Sequence, residues 1–207
     1  GVVPKTYITS IFGQYTTPER EEIAWWGNNA PIFGSTRFLH SRQAGNFDIT
    51  FGGFVSSNNG YRTNNEEERY RLNGSIRYRD KKVKGLSYEL SANYMRRIGD
   101  IFLLWADGDS GVYKCNESFQ QEVNNSYVNL YPSVIWYKND STKHSLKGRF
   151  FQVHNTNNTG QDNFDDMYYG EYNFYKGYPS KSLNWTNGLC ANYNESVAQI
   201  YGDTRHF

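Results

Sequence analysis

The chain has 207 residues, and its 22 lysines and arginines nearly cancel its 21 aspartates and glutamates, leaving a formal net charge of +1. That balance excludes an electrostatically driven nucleic-acid binder and an acidic tail. A mean hydropathy of −0.81 and a longest apolar string of only Ile101 to Ala106 exclude a membrane-spanning helix, which needs about 20 apolar residues. A membrane-spanning barrel survives this test, because alternate residues point away from lipid and dilute the hydropathy.

Period-two alternation predicts about nine strands, at roughly 6–14, 34–42, 47–56, 67–79, 85–96, 126–138, 143–154, 166–176 and 182–195. Within 67–79, Tyr70, Leu72, Gly74, Ile76 and Tyr78 share one face and Arg69, Arg71, Asn73, Ser75, Arg77 and Arg79 the other. In the next segment Leu86, Tyr88, Leu90, Ala92 and Tyr94 oppose Ser87, Glu89, Ser91 and Asn93. Val128, Leu130, Val134 and Trp136 then oppose Asn129, Tyr131, Ser133 and Tyr137. Tyr168, Tyr172 and Phe174 oppose Tyr169, Glu171, Asn173 and Tyr175; Leu183, Trp185, Leu189 and Tyr193 oppose Asn184, Thr186, Cys190 and Asn192. Alternation of this length exceeds the usual soluble strand and suits a tilted crossing of a bilayer.

Short connections are expected near 43–46, 80–84, 139–142 and 177–181, and long ones at 16–33, 57–66, 98–124, 155–165 and from 196 onward. Short turns on one side and long loops on the other mark outer-membrane barrels. The fold class expected is therefore all-β, an antiparallel meander of about nine long strands forming part of a transmembrane β-barrel. Arginine on the lipid side of such a wall costs about 2–4 kcal/mol at the midplane, so the Tyr/Leu/Ile face is the one expected to meet lipid. An odd strand count with two open edges points to a piece of a larger barrel; a start without Met is expected either of a processed chain or of a piece of something longer. Phe207 resembles the terminal aromatic of such proteins, but residues 203–206 lack the alternation of a closing strand.

Several segments resemble one group of TonB-dependent outer-membrane receptors. Tyr15-Thr-Thr-Pro-Glu-Arg-Glu-Glu-Ile-Ala-Trp-Trp26 is similar to the stretch after the first barrel strand of that group. Gly45-Asn-Phe-Asp-Ile-Thr-Phe-Gly-Gly53 and Asn59-Gly-Tyr-Arg62 resemble its early strand and the turn that follows. Phe102-Leu-Leu-Trp105 with Asp107-Gly-Asp-Ser-Gly-Val-Tyr113 resembles one of its loops, and Tyr169-Gly-Glu-Tyr172 and Leu183-Asn-Trp-Thr186 its later strands. The resemblance covers nearly all of residues 1–207, read as one partial barrel domain. It implies a barrel of about 22 strands closed by an N-terminal plug, of which this segment supplies roughly the first nine. It further implies import of a scarce nutrient, such as an iron chelate, corrinoid or glycan, across a Gram-negative outer membrane. The implied partners are the plug of the same parent protein, TonB through a segment outside this chain, a small-molecule or glycan ligand, membrane lipid and lipopolysaccharide. Nucleic acid is not among them.

Two groups of residues are the candidates for function. Arg69, Arg71, Arg77, Arg79, Glu89, Lys147 and Arg149 fall on the polar face, where buried charges need partners; the resemblance makes these plug-facing and lumenal. Trp25, Trp26 and Trp105 fall in long loops and suit stacking on a ligand, whereas Trp136 and Trp185 suit an interfacial girdle. Catalysis, a cofactor and a metal are not expected. His40, His144, His154 and His206 are scattered without a nucleophile–base pattern. The run from Asp107 to Gly111 misses calcium-loop spacing at Gly111 and Ser118 and reads as a turn. Cys115 and Cys190 show neither redox nor zinc spacing. The alternative readings are an autonomous small outer-membrane barrel (porin, adhesin or membrane enzyme) and a soluble all-β binding module.

Overall fold

The computed structural model describes residues 3–202 and 204–206. These residues form one antiparallel meander in which every strand pairs with the next in the chain. The strands are β1 (Lys5–Gln14), β2 (Ile32–Ala44), β3 (Phe47–Asn58), β4 (Glu67–Arg79), β5 (Leu86–Phe102), β6 (Gln120–Asn139), β7 (Thr142–Asn157), β8 (Asn163–Tyr178), β9 (Leu183–Ala198) and β10 (Thr204–His206). Among the described residues there is no α-helix, only single 3-10 turns between strands. The all-β class and the nine long strands are as expected, and the sheet is not closed into a barrel. The three-residue β10 pairs with Ser196–Ala198 although residues 203–206 carry no alternation, since a ladder needs only backbone groups. Phe207 lies outside the described residues.

The connections differ from expectation on one side. β5 to β8 run several residues past their expected ends, so the long loop expected at 155–165 shrinks to residues 158–162. Polar cross-strand pairs hold this extension: Asn155 Nδ2 donates to Asn163 Oδ1 at 2.9 Å, and the Asn157 amide to Asp162 Oδ1 at 2.7 Å. Three long loops remain, at residues 15–31, 59–66 and 103–119.

At the other end of the strands each turn has its own chemistry. Gly45 (φ 59°) opens the two-residue β2–β3 hairpin, the position that requires a left-handed residue. Asp80 Oδ1 accepts the Lys82 and Val83 amides at 2.7 and 2.8 Å. Those bonds, Val83 first, hold its carboxyl below the ordinary range. Gly85 sits at φ 80° beside β6, where an added Cβ would lie 2.2 Å from the Tyr137 carbonyl. Its own carbonyl accepts the Tyr137 amide at 2.9 Å. Gly85→Ala therefore has neither the backbone freedom nor the space it needs. We expect about 2–3 kcal/mol of destabilisation, read as a lower urea midpoint of the refolded protein; an unchanged midpoint would remove this account of the turn.

Among the described residues no second layer covers the sheet. Strands pack on their chain neighbours, and the outward rows stay open, with Leu72 64% and Leu189 80% exposed. The opposite, polar face is the crowded one, with Asn129 8% and Ser145 5% exposed. That asymmetry belongs to a sheet curled toward its polar side, which splays the apolar side chains apart.

Candidate functional site

Register brings part of the predicted charge cluster into a single row across the polar wall. Asp48 on β3 pairs with Arg77 on β4, Arg77 with Glu89 on β5, and Glu89 with Ser133 on β6. Ser133 then pairs with Lys147 on β7, Lys147 with Glu171 on β8, and Glu171 with Cys190 on β9. Signs alternate along this row, so neighbours attract instead of repelling. Arg77 reaches Glu89 at 2.5 Å and Lys147 reaches Glu171 at 2.9 Å; Arg79 pairs diagonally with Asp48. Ser75 and Ser91 hydroxyls also donate to Glu89 Oε1. Asp48 and Glu171 were not among the predicted residues. Alternation identifies a face, whereas which acid stands beside which base depends on register between distant segments.

Arg69 and Arg71 do not join this row. They lie eight and six positions up β4, about 20–26 Å from Arg77 at the strand rise. Glu67 binds Arg69 at 2.8 Å and Arg97 at 2.6 Å. Arg71 instead donates to the Met95 sulfur at 3.4 Å. Arg149 donates to Asn129 Oδ1 at 3.1 Å and stacks near the rings of Tyr131 and Phe151, at 5.4 and 4.8 Å. Arg37, on the same face of β2, lies 5.9 Å from the Phe54 ring. Arg37, Arg71 and Arg149 thus make no ion pair among the described residues. The middle of the wall is therefore cationic from β2 to β7, with Asp165 on β8 the acid that ends the Arg37–Arg71 row.

The three long loops fold into one aromatic layer centred on Tyr61. Its ring lies 5.3 Å from Tyr15, 5.3 Å from Trp26 and 4.8 Å from Tyr113, and its carbonyl accepts Trp25 Nε1 at 3.2 Å. Trp26 is 8% exposed, buried with Ile23 and Cys115. The Cys115 amide donates to Thr63 Oγ1, the Thr63 amide to the Tyr113 carbonyl, and Arg20 to Asp109 Oδ1. Of the three loop tryptophans, Trp25 and Trp26 are committed to this layer, while Trp105 is 54% exposed beside the Trp105–Cys115 bridge. The central role of Tyr61 has no periodic signature, because its neighbours come from three loops.

The Asp107 run is a turn in which Asp107 Oδ1 accepts the Asp109 and Gly111 amides at 2.7 and 2.9 Å. Those amides, Gly111 first, hold the carboxyl below its ordinary range. A depressed carboxyl contributes stability that is complete above the ordinary carboxylate range and is lost as pH falls through the lowered value. Loop 103–119 should therefore become more protease-sensitive on acidification through that range, and Asp107→Ala should show the acid sensitivity already at neutral pH. Equal cleavage of both proteins at both pH values would contradict this role. Among the described residues no group of three metal-ligating side chains converges. His40, His144 and His154 lie on the apolar face, each against a different ring: Phe51, Trp136 and Phe164.

The apolar face has a geometry of its own. One hydrogen-bonded row runs Ile8, Phe38, Gly53, Leu72, Tyr94, Val128, Gln152, Asp166, Glu195, from apolar at β1 to acidic at β9. Another begins at Arg42 on β2 and continues through Ile49, Ile76 and Leu90. The uncharged belt between such boundaries thus slides toward the short turns by about one residue per strand. With about 3.3 Å per residue and 4.8 Å between strands, the belt crosses the strands at an inclination of about 35°. Along β8 it lies between Asp166 and Lys176, about 27 Å when corrected for that angle. Comparison of the chain with known protein families, with curated proteins and with solved structures finds no match.

Proposed function

We propose that this chain is a wall segment of a transmembrane β-barrel, belonging to a TonB-dependent type of receptor that imports a scarce nutrient across a Gram-negative outer membrane. The inclined, uncovered apolar belt carries the reading. A barrel wall needs strands tilted about 35–45° and an apolar band about 25 Å tall, and both values agree with the belt. Leaving Leu72, Ile76, Leu90 and Leu189 in water forgoes about 1.5–3 kcal/mol each; acyl chains recover it. The cationic middle of the polar wall then faces an enclosed interior, where Arg37, Arg71 and Arg149 are available to the carboxylates of a plug. The loop layer stands outside, with Trp105 free to stack on an iron chelate, corrinoid or glycan. No reaction is assigned to the segment, since energy for import reaches such a receptor through TonB.

Growth of a deletion strain, with each nutrient class in turn as the limiting source, tests this reading. The expected result is loss of growth on one class, reproduced by inactivating TonB in the intact strain. Growth that depends on the gene but not on TonB would replace active import with a passive pore. Recovery of the protein in the soluble fraction without detergent would favour a soluble binding module.

A further inference from the structure

The two rims of the apolar belt carry opposite charge. At the short-turn end stand Arg42, Lys138 and Lys176 on strands, with Lys81, Lys82 and Lys84 in the β4–β5 turn. The acids at that end are Asp80, whose Oδ1 is already bound by the Lys82 and Val83 amides, Asp140, and Asp48, which lies on the polar face and pairs with Arg79. None of the six cations makes an ion pair among the described residues. Toward the long-loop end the same face instead carries Glu68, Asp100, Glu122, Asp166 and Glu195 on several rows, against Arg96.

The basic rim also has the aromatic chemistry of a headgroup layer. Lys138 Nζ lies 5.9 Å from the Trp136 ring, and Trp136 stacks on His144 at 5.3 Å. Lys176 Nζ lies 5.9 Å from the Tyr178 ring and donates to Thr142 Oγ1 at 2.9 Å. Trp185, paired with Lys176 across β8 and β9, is 49% exposed. Amphipathic rings and snorkelling lysines at one level suit the depth at which lipid phosphates lie.

We infer that the short-turn rim is a binding surface for anionic phospholipid headgroups. This rests on the membrane reading above and adds to it an orientation and a lipid class. The ammonium groups of Lys138 and Lys176 meet the phosphate oxygens of a lipid whose chains lie along Leu146, Leu189 and Phe174. The turn lysines add long-range attraction, and the acidic opposite rim repels the same lipids, so the surface is one-sided. Each lysine near an anionic surface is worth about a fivefold in affinity, and the attraction weakens with salt.

The test uses the protein as expressed in cells, extracted from membranes and placed in nanodiscs of phosphatidylcholine with a minority of phosphatidylglycerol. Lipids retained after stripping with mild detergent are counted by mass spectrometry. Phosphatidylglycerol should be enriched around the protein, and K138Q/K176Q should reduce that enrichment about tenfold or more. K138R/K176R should retain it, which separates lost charge from lost folding, and E68Q/E122Q should leave it unchanged. No enrichment, or the same enrichment in K138Q/K176Q, overturns the inference while leaving the membrane reading intact. A protein found only in the soluble fraction overturns both.

Discussion

On the proposed membrane reading, Ile76→Arg should prevent assembly into the membrane whereas Ser75→Arg should be tolerated, the largest difference expected between adjacent positions. Ile76 is 42% exposed on the apolar face, and its row continues into Ile49 and Leu90. It sits inside the belt on β4, eight residues from Glu68 and four from Asp80. With lipid against this face a guanidinium costs up to about 2–4 kcal/mol, the midplane value, and no acid stands beside Ile76 on its row at Ile49 or Leu90. Ser75 points to the opposite face, and its hydroxyl already lies 3.2 Å from Glu89 Oε1. A new arginine there meets a carboxylate and, in the proposed barrel, an aqueous interior. The measurement is the fraction of protein in the outer membrane that migrates as a heat-modifiable folded species. Equal losses in the two variants would contradict the assignment of the faces.

Tyr61→Ala should loosen the loops without disturbing the strands. Removing this ring takes away the shared neighbour of Tyr15, Trp26 and Tyr113 and leaves a hole beside the buried Trp26. Large-to-small replacement at such a position costs about 2–4 kcal/mol. That loss falls on a layer built from loop residues 15–31, 59–66 and 103–119, while ladder hydrogen bonds hold the sheet on their own. The Tyr61 carbonyl survives the substitution, so Trp25 keeps its acceptor. Limited proteolysis should find new cleavage sites in those loops, with strand fragments as resistant as before. Unchanged loop cleavage would mean the ring is not the centre of the layer; simultaneous loss of the strands would mean the layer is not separable from the sheet.

Particular residues show how far the sequence could be read. The faces of 67–79 and of the next segment were legible from Arg and Tyr/Leu alternation, because side-chain direction in a strand depends only on parity. The turn at Gly45–Asn46 was legible because a two-residue hairpin needs a residue tolerant of positive φ there. The extension of β7 and β8 past residue 155 was not. Asn155 and Asn163 look like loop residues until they face one another, and the gain from pairing them belongs to neither segment alone. Trp26 and Trp105 are the same residue type in similar surroundings of sequence. One is buried against Tyr61 and Trp25 and the other left open, a difference set by loops that meet only in space.

From the amino-acid order alone it follows that the chain is extended, which residues share a face, and that one face is apolar while the other is rich in arginine. It took the folded sheet to bring Asp48, Arg77, Glu89, Lys147 and Glu171 into one row, to leave Arg37, Arg71 and Arg149 without an ion pair among the described residues, and to run the apolar belt obliquely across the strands. Alternation is a property of one strand, set by the pleat of its own backbone. Rows and belts are properties of many strands at once, set by register, and a shift of one residue between neighbours turns every side chain of a strand to the opposite face.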